Sequence, residues 1–327
     1  MQSYVKEARS IPNLPIWMRN ADSKVSASPI RFVATFQDPD GQRPRLVSAS
    51  GDNTITIWDL HTGERIFYFF MGSPEWILPF AVFQAPNGQG PRLVSYSCNG
   101  RIRIWDLDTG KCAFHFPMIG NGQIRALAVF QDPDGQGPRF ASASVSASGN
   151  SAITICDLHT GERVFHFPWE NIDRVHSVVV FQDTDIRGLR IISTSEDGTI
   201  EIWNPYRREL ICTLTGHLGP IYSVAVFEEP DRQEPHLVST SEDGTVKVWN
   251  LCKVLTRRGP LPRRREPSRL LGNTAGPGPS ASIGFVTVCE RYHGSPLIVS
   301  CSQGGVVKFW RLNTGRCFYK TRLAYPT

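Results

Sequence analysis

This sequence has little of what would place a protein across a membrane. Its 327 residues include no run of about 18 consecutive apolar residues, the length that a membrane-spanning helix requires. The chain also does not open with a basic stretch followed by an apolar stretch and small residues, the pattern of a secretory signal. We therefore expect a soluble intracellular protein in the cytoplasm, with the nucleus as the alternative.

The eight cysteines do not form the patterns that bind metals or build a disulfide framework. None belongs to a C-x-x-C pair, and none has a histidine at the spacing of a zinc site. Most of them fall in predicted strands, where cysteine behaves as a small apolar residue. We predict neither a metal nor any other cofactor.

Motifs of the common enzyme classes are absent as well. The sequence contains no G-x-x-x-x-G-K-[ST] phosphate loop, no H-E-x-x-H motif and no G-x-S-x-G motif. The eight histidines are scattered along the chain. The sequence therefore predicts a protein that is not an enzyme and has no catalytic residues.

What the sequence does contain is a long internal repeat. Five tryptophans and one cysteine follow one another at steps of 47, 51, 47, 46 and 61 residues. These six positions are Trp58, Trp105, Cys156, Trp203, Trp249 and Trp310. Alternating apolar stretches surround them, and turn dipeptides such as Asn99-Gly100 and Asp243-Gly244 precede them, as in two-residue hairpins. A fixed period of this size indicates a repeat architecture.

The repeat resembles that of the WD-repeat family. The resemblance rests on the Gly216-His217 pair, on the strand-turn-strand that follows it, and on closing pairs such as Trp58-Asp59 and Trp105-Asp106. It covers roughly residues 28 to 323, and members of the family fold as β-propellers with four strands in each blade. The resemblance implies an all-β WD-repeat β-propeller of six four-stranded blades, with seven blades as the alternative.

This fold divides the chain into three parts. Residues 28–327 are predicted to form the propeller, and residues 1–27 form an N-terminal extension too short for four further strands. Within the propeller, the Arg/Pro/Gly-rich residues 257–281 are predicted to be a flexible insertion between blades five and six. Trp17 precedes Trp58 by 41 residues, so it is either the relic of another third strand or, as we favour, an extension residue that packs on the ring.

The resemblance also implies structural roles for particular residues. In the family, a histidine, a serine or threonine, an aspartate and the tryptophan form a buried hydrogen-bonded chain that stiffens a blade. Blade five alone matches fully, with His217, Ser239 or Ser241, Asp243 and Trp249. We therefore interpret His217 as a structural residue and expect the other blades to be less rigid.

A loop signature between the first and second strands superficially resembles a calcium site. It reads FQDPDGQRPR from Phe36 and FQDPDGQGPR from Phe130. Calcium loops are usually closed by a bidentate glutamate, whereas proline and arginine follow here. We interpret the loop as a structural turn with proline at its start and glycine at its end.

One face of the ring is predicted to bind partner proteins. Counting back from the phenylalanine that ends each inner strand gives the positions that open on this face, and two glutamates precede neighbouring hairpin turns. The candidate partner-binding residues are Arg31, Trp76, Arg125, Arg174, His176, Tyr222, Glu196 and Glu242. Their Trp/Tyr/Arg content is typical of interface hot spots. The sequence therefore predicts a non-catalytic scaffold for proteins or peptides, with an acidic or phosphorylated peptide indicated by the arginines and opposed by the glutamates.

The net charge of +5 comes from one segment. Between Lys253 and Arg269 there are seven positive charges and one negative charge, so the rest of the chain is close to neutral. The arginines of this basic loop are Arg257, Arg258, Arg263, Arg264, Arg265 and Arg269. Such a loop could bind nucleic acid or anionic lipid, which is the alternative function, or it could be a solvated linker.

Overall fold

A computed structural model describes most of the ring. The described residues are 30–37, 44–50, 54–59, 65–70, 77–85, 90–97, 100–117, 122–132, 135, 137–146, 151–169, 175–183, 188–229, 234–256, 263–265, 267, 269–273, 283–292, 295–302, 306–311 and 316–322. The N-terminal extension 1–27 lies outside them, so our interpretation of Trp17 stays a prediction.

The first three blades are four-stranded antiparallel sheets made from contiguous stretches of the chain. Blade one contains β1 (Ile30–Gln37), β2 (Pro44–Ser50), β3 (Thr54–Asp59) and β4 (Arg65–Phe70). Blade two contains β5 (Ile77–Gln84), β6 (Pro91–Ser97), β7 (Arg101–Asp106) and β8 (Cys112–Pro117). Blade three contains β9 (Gly122–Gln131), β10 (Pro138–Ser146), β11 (Ser151–Asp157) and β12 (Arg163–Trp169).

The last three blades repeat this plan with one rearrangement. Blade four contains β13 (Val178–Asp183), β14 (Gly188–Thr194), β15 (Ile200–Asn204) and β16 (Glu209–Leu214). Blade five contains β17 (Ile221–Glu229), β18 (Glu234–Ser241), β19 (Thr245–Asn250) and β21 (Arg269–Asn273), with helix α1 (Leu251–Thr256) and β20 (Arg263–Arg265) between its last two strands. Blade six contains β22 (Ile283–Tyr292), β23 (Ser295–Ser302), β24 (Val306–Arg311) and β25 (Cys317–Arg322).

The inner strands close the blades into a ring. Each inner strand contacts the inner strand of the next blade in the order β1, β5, β9, β13, β17 and β22, and β22 contacts β1. At this seam the Thr35 hydroxyl donates a hydrogen bond to the Val288 carbonyl oxygen over 2.9 Å. The prediction of a six-bladed propeller is confirmed, and the seven-bladed alternative is not.

Apolar packing between neighbouring blades holds the ring together. Trp105 of blade two, for example, packs with Ile55 and Ile57 of blade one and with Leu93 of its own blade. The turn glycines make close approach possible, because a Cβ atom on Gly161 would lie 2.6 Å from the Phe116 ring and the backbone there has φ of +72°. Each blade therefore completes the core of its neighbour.

The outer part of blade five differs from our prediction. The sequence from Leu251 is itself compatible with the start of an outer strand, and residues 257–281 are predicted to be flexible. Instead Leu251 begins a helix, β21 forms the outer strand, and β20 pairs in parallel with β16 as a fifth strand of blade four. The predicted start of the outer strand at Leu251 was wrong, and the flexibility of residues 257–281 stays a prediction.

The helix has a local cause. In blades two and three, Asp106 and Asp157 accept hydrogen bonds from the backbone three residues later, and Gly110 and Gly161 with positive φ then end the turn. Asn250 accepts the equivalent bond from the Lys253 amide over 2.9 Å and so caps α1. The next residue is the β-branched Val254, which disfavours positive φ, so the turn continues as a helix with Val254 buried.

Candidate protein-binding surface

One region of the ring combines a rigid scaffold with exposed side chains. It lies at the end of the ring, here called the upper face, where the turns between second and third strands and the loops between blades open. A Cβ atom on Gly198, in the blade-four turn, would lie 3.1 Å from the carbonyl oxygens of His217 and Gly219. The Ser241 hydroxyl donates to the Gly219 carbonyl oxygen over 2.9 Å. The turns of blades four and five therefore support the loop 216–219 from both sides.

A buried hydrogen-bonded chain fixes that loop from below. The Trp249 indole N–H donates to Ser239 Oγ over 2.9 Å, and Ser239 Oγ lies 2.8 Å from His217 Nε2. On the other side of the imidazole, His217 Nδ1 lies 3.0 Å from Asp243 Oδ2. A neutral imidazole with its proton on Nδ1 satisfies all three contacts, because Ser239 then donates to Nε2 and Nδ1 donates to the carboxylate.

The pKa shifts agree with this protonation state. Burial lowers the pKa of His217, and the positive charge of Lys247 adds to this effect, whereas the hydrogen bond and charge of Asp243 oppose it. Burial alone would raise the pKa of Asp243, but hydrogen bonds from His217, Thr245 and the Leu218 backbone outweigh it, so that the pKa of this carboxyl is lowered. The hydrogen-bonded chain is most stable with His217 neutral and Asp243 ionised.

We expect the stability of the ring to fall as the pH falls from 7 to 5. Because the folded state lowers the pKa of His217 below the value of about 6.5 in the unfolded chain, the unfolded chain binds more protons below that pH. The lowered pKa of Asp243 extends the loss below about pH 4, where unfolded aspartate takes up its proton. Urea unfolding at several pH values measures this dependence.

The control for this pH dependence is His217→Gln, which removes the titrating group. The slope of the unfolding free energy against pH should be shallower in this variant between pH 5 and 7. Equal slopes in the two proteins would show that His217 is not the source of the dependence.

Above this chain, Leu218 projects into solvent. Its side chain is 93% exposed, although its backbone N–H donates to Asp243 Oδ2 over 2.9 Å. Tyr222 lies nearby, and its hydroxyl donates to Glu242 Oε2 over 3.1 Å. Burial raises the pKa of Tyr222. The hydrogen bond from Tyr222 to Glu242 and the negative charges of Glu242 and Glu196 raise this pKa further.

We call this group the Leu218 patch. It comprises His176, Glu196, Leu218, Tyr222 and Glu242. The His176 ring stands edge-on to the Tyr222 ring with a centroid distance of 5.2 Å, and both glutamates are exposed. The patch therefore presents an apolar tip and an aromatic pair beside two carboxylates.

The candidate residues from the sequence are distributed unevenly around the face. Four of them, His176, Glu196, Tyr222 and Glu242, lie in the patch. Arg125 is exposed on β9 of blade three, and only the backbone of Arg31 is described. Trp76 and Arg174 lie outside the described residues. Sequence reasoning missed Leu218. Its one signal in the sequence is that an apolar residue directly follows the Gly216-His217 pair.

Among the described residues, other blades show the hydrogen bond that the tryptophan donates. Trp58, Trp105 and Trp310 donate to Ser48, Ser95 and Ser300, each over 2.9 Å. In blade four, Trp203 donates instead to Glu201 over 3.2 Å.

Blade three replaces its tryptophan with the buried Cys156. Burial, supported by the charge of Asp157 and opposed by that of Arg163, raises the pKa of the Cys156 thiol to about 11. The thiol therefore stays protonated and acts as a small apolar core residue.

The calcium-like loop is held by an ion pair where the structure describes it. The carboxylate of Asp132 is fully buried and pairs with the guanidinium of Arg139, at the end of the same loop. Backbone bonds close the turn, because the Asp132 amide donates to the Gly137 carbonyl oxygen over 3.1 Å. The aspartate thus has a structural partner, in keeping with our interpretation of the loop as a turn.

The basic loop is described only as backbone. Arg263, Arg264 and Arg265 form β20, and Arg269 begins β21. Arg257 and Arg258 lie outside the described residues.

Six four-stranded blades in a closed ring define a β-propeller. The family model for the WD domain, G-beta repeat, matches residues 24–59 and 208–250 of this chain. The prediction from the repeat is confirmed. Among the described residues, no helix has the length and apolar character needed to cross a membrane.

Solved structures of WD-repeat proteins share the fold. The structure of U3-55K is 18% identical, with a TM-score of 0.60, and the alignment covers 92% of this chain and 82% of that chain. The crystal structure of the RRP9 WD40 repeats is 19% identical, with a TM-score of 0.59 and coverage of 92% and 81%. No curated protein sequence matches this chain. At these identities the similarity concerns the fold.

Proposed function

We propose that this propeller is a non-catalytic scaffold that binds a partner protein at the Leu218 patch. The observation that carries the proposal is the position of Leu218, which is 93% exposed on a backbone that Asp243 holds in place. WD-repeat propellers generally bind other proteins, which supports the same class of function.

The rigidity of the patch favours binding. An apolar side chain in water contributes to association when a partner buries it, and the gain is larger if the backbone needs no reordering. The His217 chain and the Ser241–Gly219 bond supply that order before a partner arrives. Tyr222 adds an aromatic surface of the kind that dominates binding energy at interfaces.

The charges of the patch indicate the chemistry of the partner. Glu196 and Glu242 place two carboxylates beside Leu218 and Tyr222, whereas Arg125 lies on blade three. Complementary charge on a partner suppresses repulsion and guides its approach. We therefore propose a partner segment that carries lysine or arginine next to a large apolar side chain, in preference to an acidic or phosphorylated peptide.

The experiment is a selection of displayed random peptides against the whole chain. Enriched peptides should combine a basic residue with a large apolar one. Leu218→Asp should weaken their binding by about 30-fold or more, as for the loss of a hot-spot side chain. Glu242→Lys should also weaken it, because this change reverses the charge that selects the basic residue.

Val164→Asp is the matched control. Val164 is 47% exposed on the outer strand of blade three, so the substitution adds the same charge at an exposed apolar position outside the patch. All variants should retain the thermal unfolding of the parent chain. Peptides that bind Leu218→Asp as well as they bind the parent would contradict the proposal, and so would a selection dominated by acidic peptides.

Binding of nucleic acid and of anionic vesicles by the same protein tests the alternative function. If charge-reversing the arginines of the basic loop abolished binding of nucleic acid or anionic vesicles while no peptide depended on Leu218, the ring would act as a carrier for that loop.

A further inference from the structure

The outer strand of blade one carries an exposed apolar row. Ile66 is 44% exposed, Tyr68 is 51% exposed and Phe70 is 65% exposed. The rings of Tyr68 and Phe70 meet edge-on with centroids 6.2 Å apart, so the surface is continuous. An exposed apolar row on the edge strand of a sheet marks a place where another chain segment binds.

This row is the face of β4 that points away from blade two. Phe67 and Phe69, the alternate residues, pack against the core between blades one and two. Side chains alternate along a strand, so Tyr68 and Phe70 project to the opposite side of the sheet, which borders blade six. The apolar row therefore lies on the seam side of blade one.

Equivalent strands in the next two blades lack the aromatic character. β8 exposes Ala113, His115 and Pro117, and β12 exposes Val164 and His166. His166 is further tied to its own sheet by a 2.9 Å contact between its Nδ1 and the Thr154 hydroxyl. The apolar row is thus a property of blade one and not of the repeat.

The ring already covers one outer strand with a segment from elsewhere in the chain. β20 lies beside β16 of blade four, with Cys212 opposite Arg263 and Leu214 opposite Arg265. This structure therefore already contains one outer strand that is paired with an additional segment of the same chain.

The N-terminal extension contains a segment of matching chemistry. Residues 10–19 read SIPNLPIWMR, with five large apolar side chains and no acidic residue. Pro12 and Pro15 disfavour a helix and favour an extended chain, in which Leu14, Ile16 and Met18 would share one side. Such a segment suits the outside of an edge strand, where missing amide donors cost little.

The chain is long enough to bring this segment to β4. β1 and β4 are separated by three strand spacings, or about 14 Å. Ile30 pairs with Ser50 and Thr54 pairs with Phe70, so the start of β1 and the end of β4 lie at the same end of the blade. The residues between Met18 and Ile30 span up to about 40 Å when extended.

We propose that residues 11–18 dock on the apolar row of Ile66, Tyr68 and Phe70 and cover the outer edge of blade one at the seam. This contact is intramolecular and does not depend on the partner proposed for the Leu218 patch. It assigns the contact with the row to Leu14, Ile16 and Met18, which share one side of the extended segment.

Photo-crosslinking in the whole chain tests the contact. A benzophenone amino acid replaces Tyr68, and after irradiation the monomer is digested with trypsin. We expect the peptide Ser10–Arg19 joined to the peptide Ile66–Arg92, detected by mass spectrometry in material of monomer size. The matched control carries the same amino acid in place of His115, the equivalent position of blade two, and should not become joined to the peptide Ser10–Arg19.

Sequence dependence provides a second readout. Leu14→Asp combined with Ile16→Asp should lower the crosslink yield by about tenfold or more, because burial of two large apolar side chains is lost. Asn13→Asp adds one negative charge to the same segment and should retain the product. A crosslink between two copies, with dimer size and dependence on protein concentration, would overturn the proposal in favour of a second chain as the occupant. The proposal would also fail if the Tyr68 and His115 probes gave the same yield of the Ser10–Arg19 product.

Discussion

Replacing Ser239 with alanine should lower the free energy of unfolding by about 2–4 kcal/mol. The Ser239 hydroxyl contacts both the Trp249 indole N–H and His217 Nε2, and its residue is fully buried. Alanine leaves a buried donor and a buried acceptor without this partner, and each such loss costs about 1–3 kcal/mol. Urea unfolding monitored by fluorescence and circular dichroism measures the difference.

Ser95→Ala is the matched control for this prediction. Ser95 is also buried and accepts from Trp105 over the same 2.9 Å, but residues 71–76, directly before its blade, contain no histidine. This substitution should cost about 1–2 kcal/mol, the value for one buried group. Equal costs in the two blades would mean that the His217 link adds no stability to blade five.

Arg139→Met should lower the free energy of unfolding by about 3–5 kcal/mol, because it leaves a buried carboxylate without its ion-pair partner. The Asp132 side chain is fully inaccessible, whereas 12% of the Arg139 side chain is exposed. Methionine keeps most of the length and the packing of the arginine stem, so the lost charge dominates the change. Chemical unfolding measures this loss as well.

The second substitution Asp132→Ala should restore most of that stability. The double variant contains no buried charge at this place, and a buried ion pair is generally replaced by apolar residues at little cost. Blade two shows that alanine fits at the aspartate position, because Ala85 stands where blade three has Asp132 and is itself buried, although blade two keeps the arginine as Arg92. If the double variant were as unstable as Arg139→Met alone, the loss would come from packing of the arginine stem and not from the unpaired carboxylate.

The spacing of the tryptophans was sufficient to predict the blades. A 46- to 51-residue step leaves room for four short strands and their turns, and the turn dipeptides place the third strand within a few residues. The chain from Trp249 through Ser239 to His217 also followed from the repeat, because equivalent positions in the family are defined by spacing.

Helix α1 could not be predicted from the same pattern. The sequence LCKVLT alternates enough to be interpreted as a strand. Asn250 and Val254 determine that it forms a helix instead. Asn250 caps the turn as Asp106 does in blade two, and the β-branched Val254 then disfavours the positive φ that ends the other turns, at Gly110 and at Arg208 of blade four. The placement of β20 was hidden because three consecutive arginines are typical of solvated segments, yet charged residues are also common on edge strands.

The exposure of Leu218 required the tertiary structure. A leucine after a Gly-His pair is as compatible with a core position as with a surface one. Its side chain is outside because Asp243 binds its backbone N–H and because the blade-four turn at Gly198 fills the space below the loop.

The pairing of β20 with β16 has a consequence for how the ring comes apart. β20 leads through Pro267 into β21, so a segment of blade five's own chain is bound to the outer edge of blade four. Blade four cannot lose that edge strand without disturbing blade five, so the two blades should open as one cooperative unit in hydrogen exchange. Blades one and six, by contrast, share no strand among the described residues and are joined there by side-chain packing and the Thr35 bond. Blades four and five should therefore be the most strongly coupled pair in the described part of the ring, so that resistance to local unfolding is uneven around the circumference.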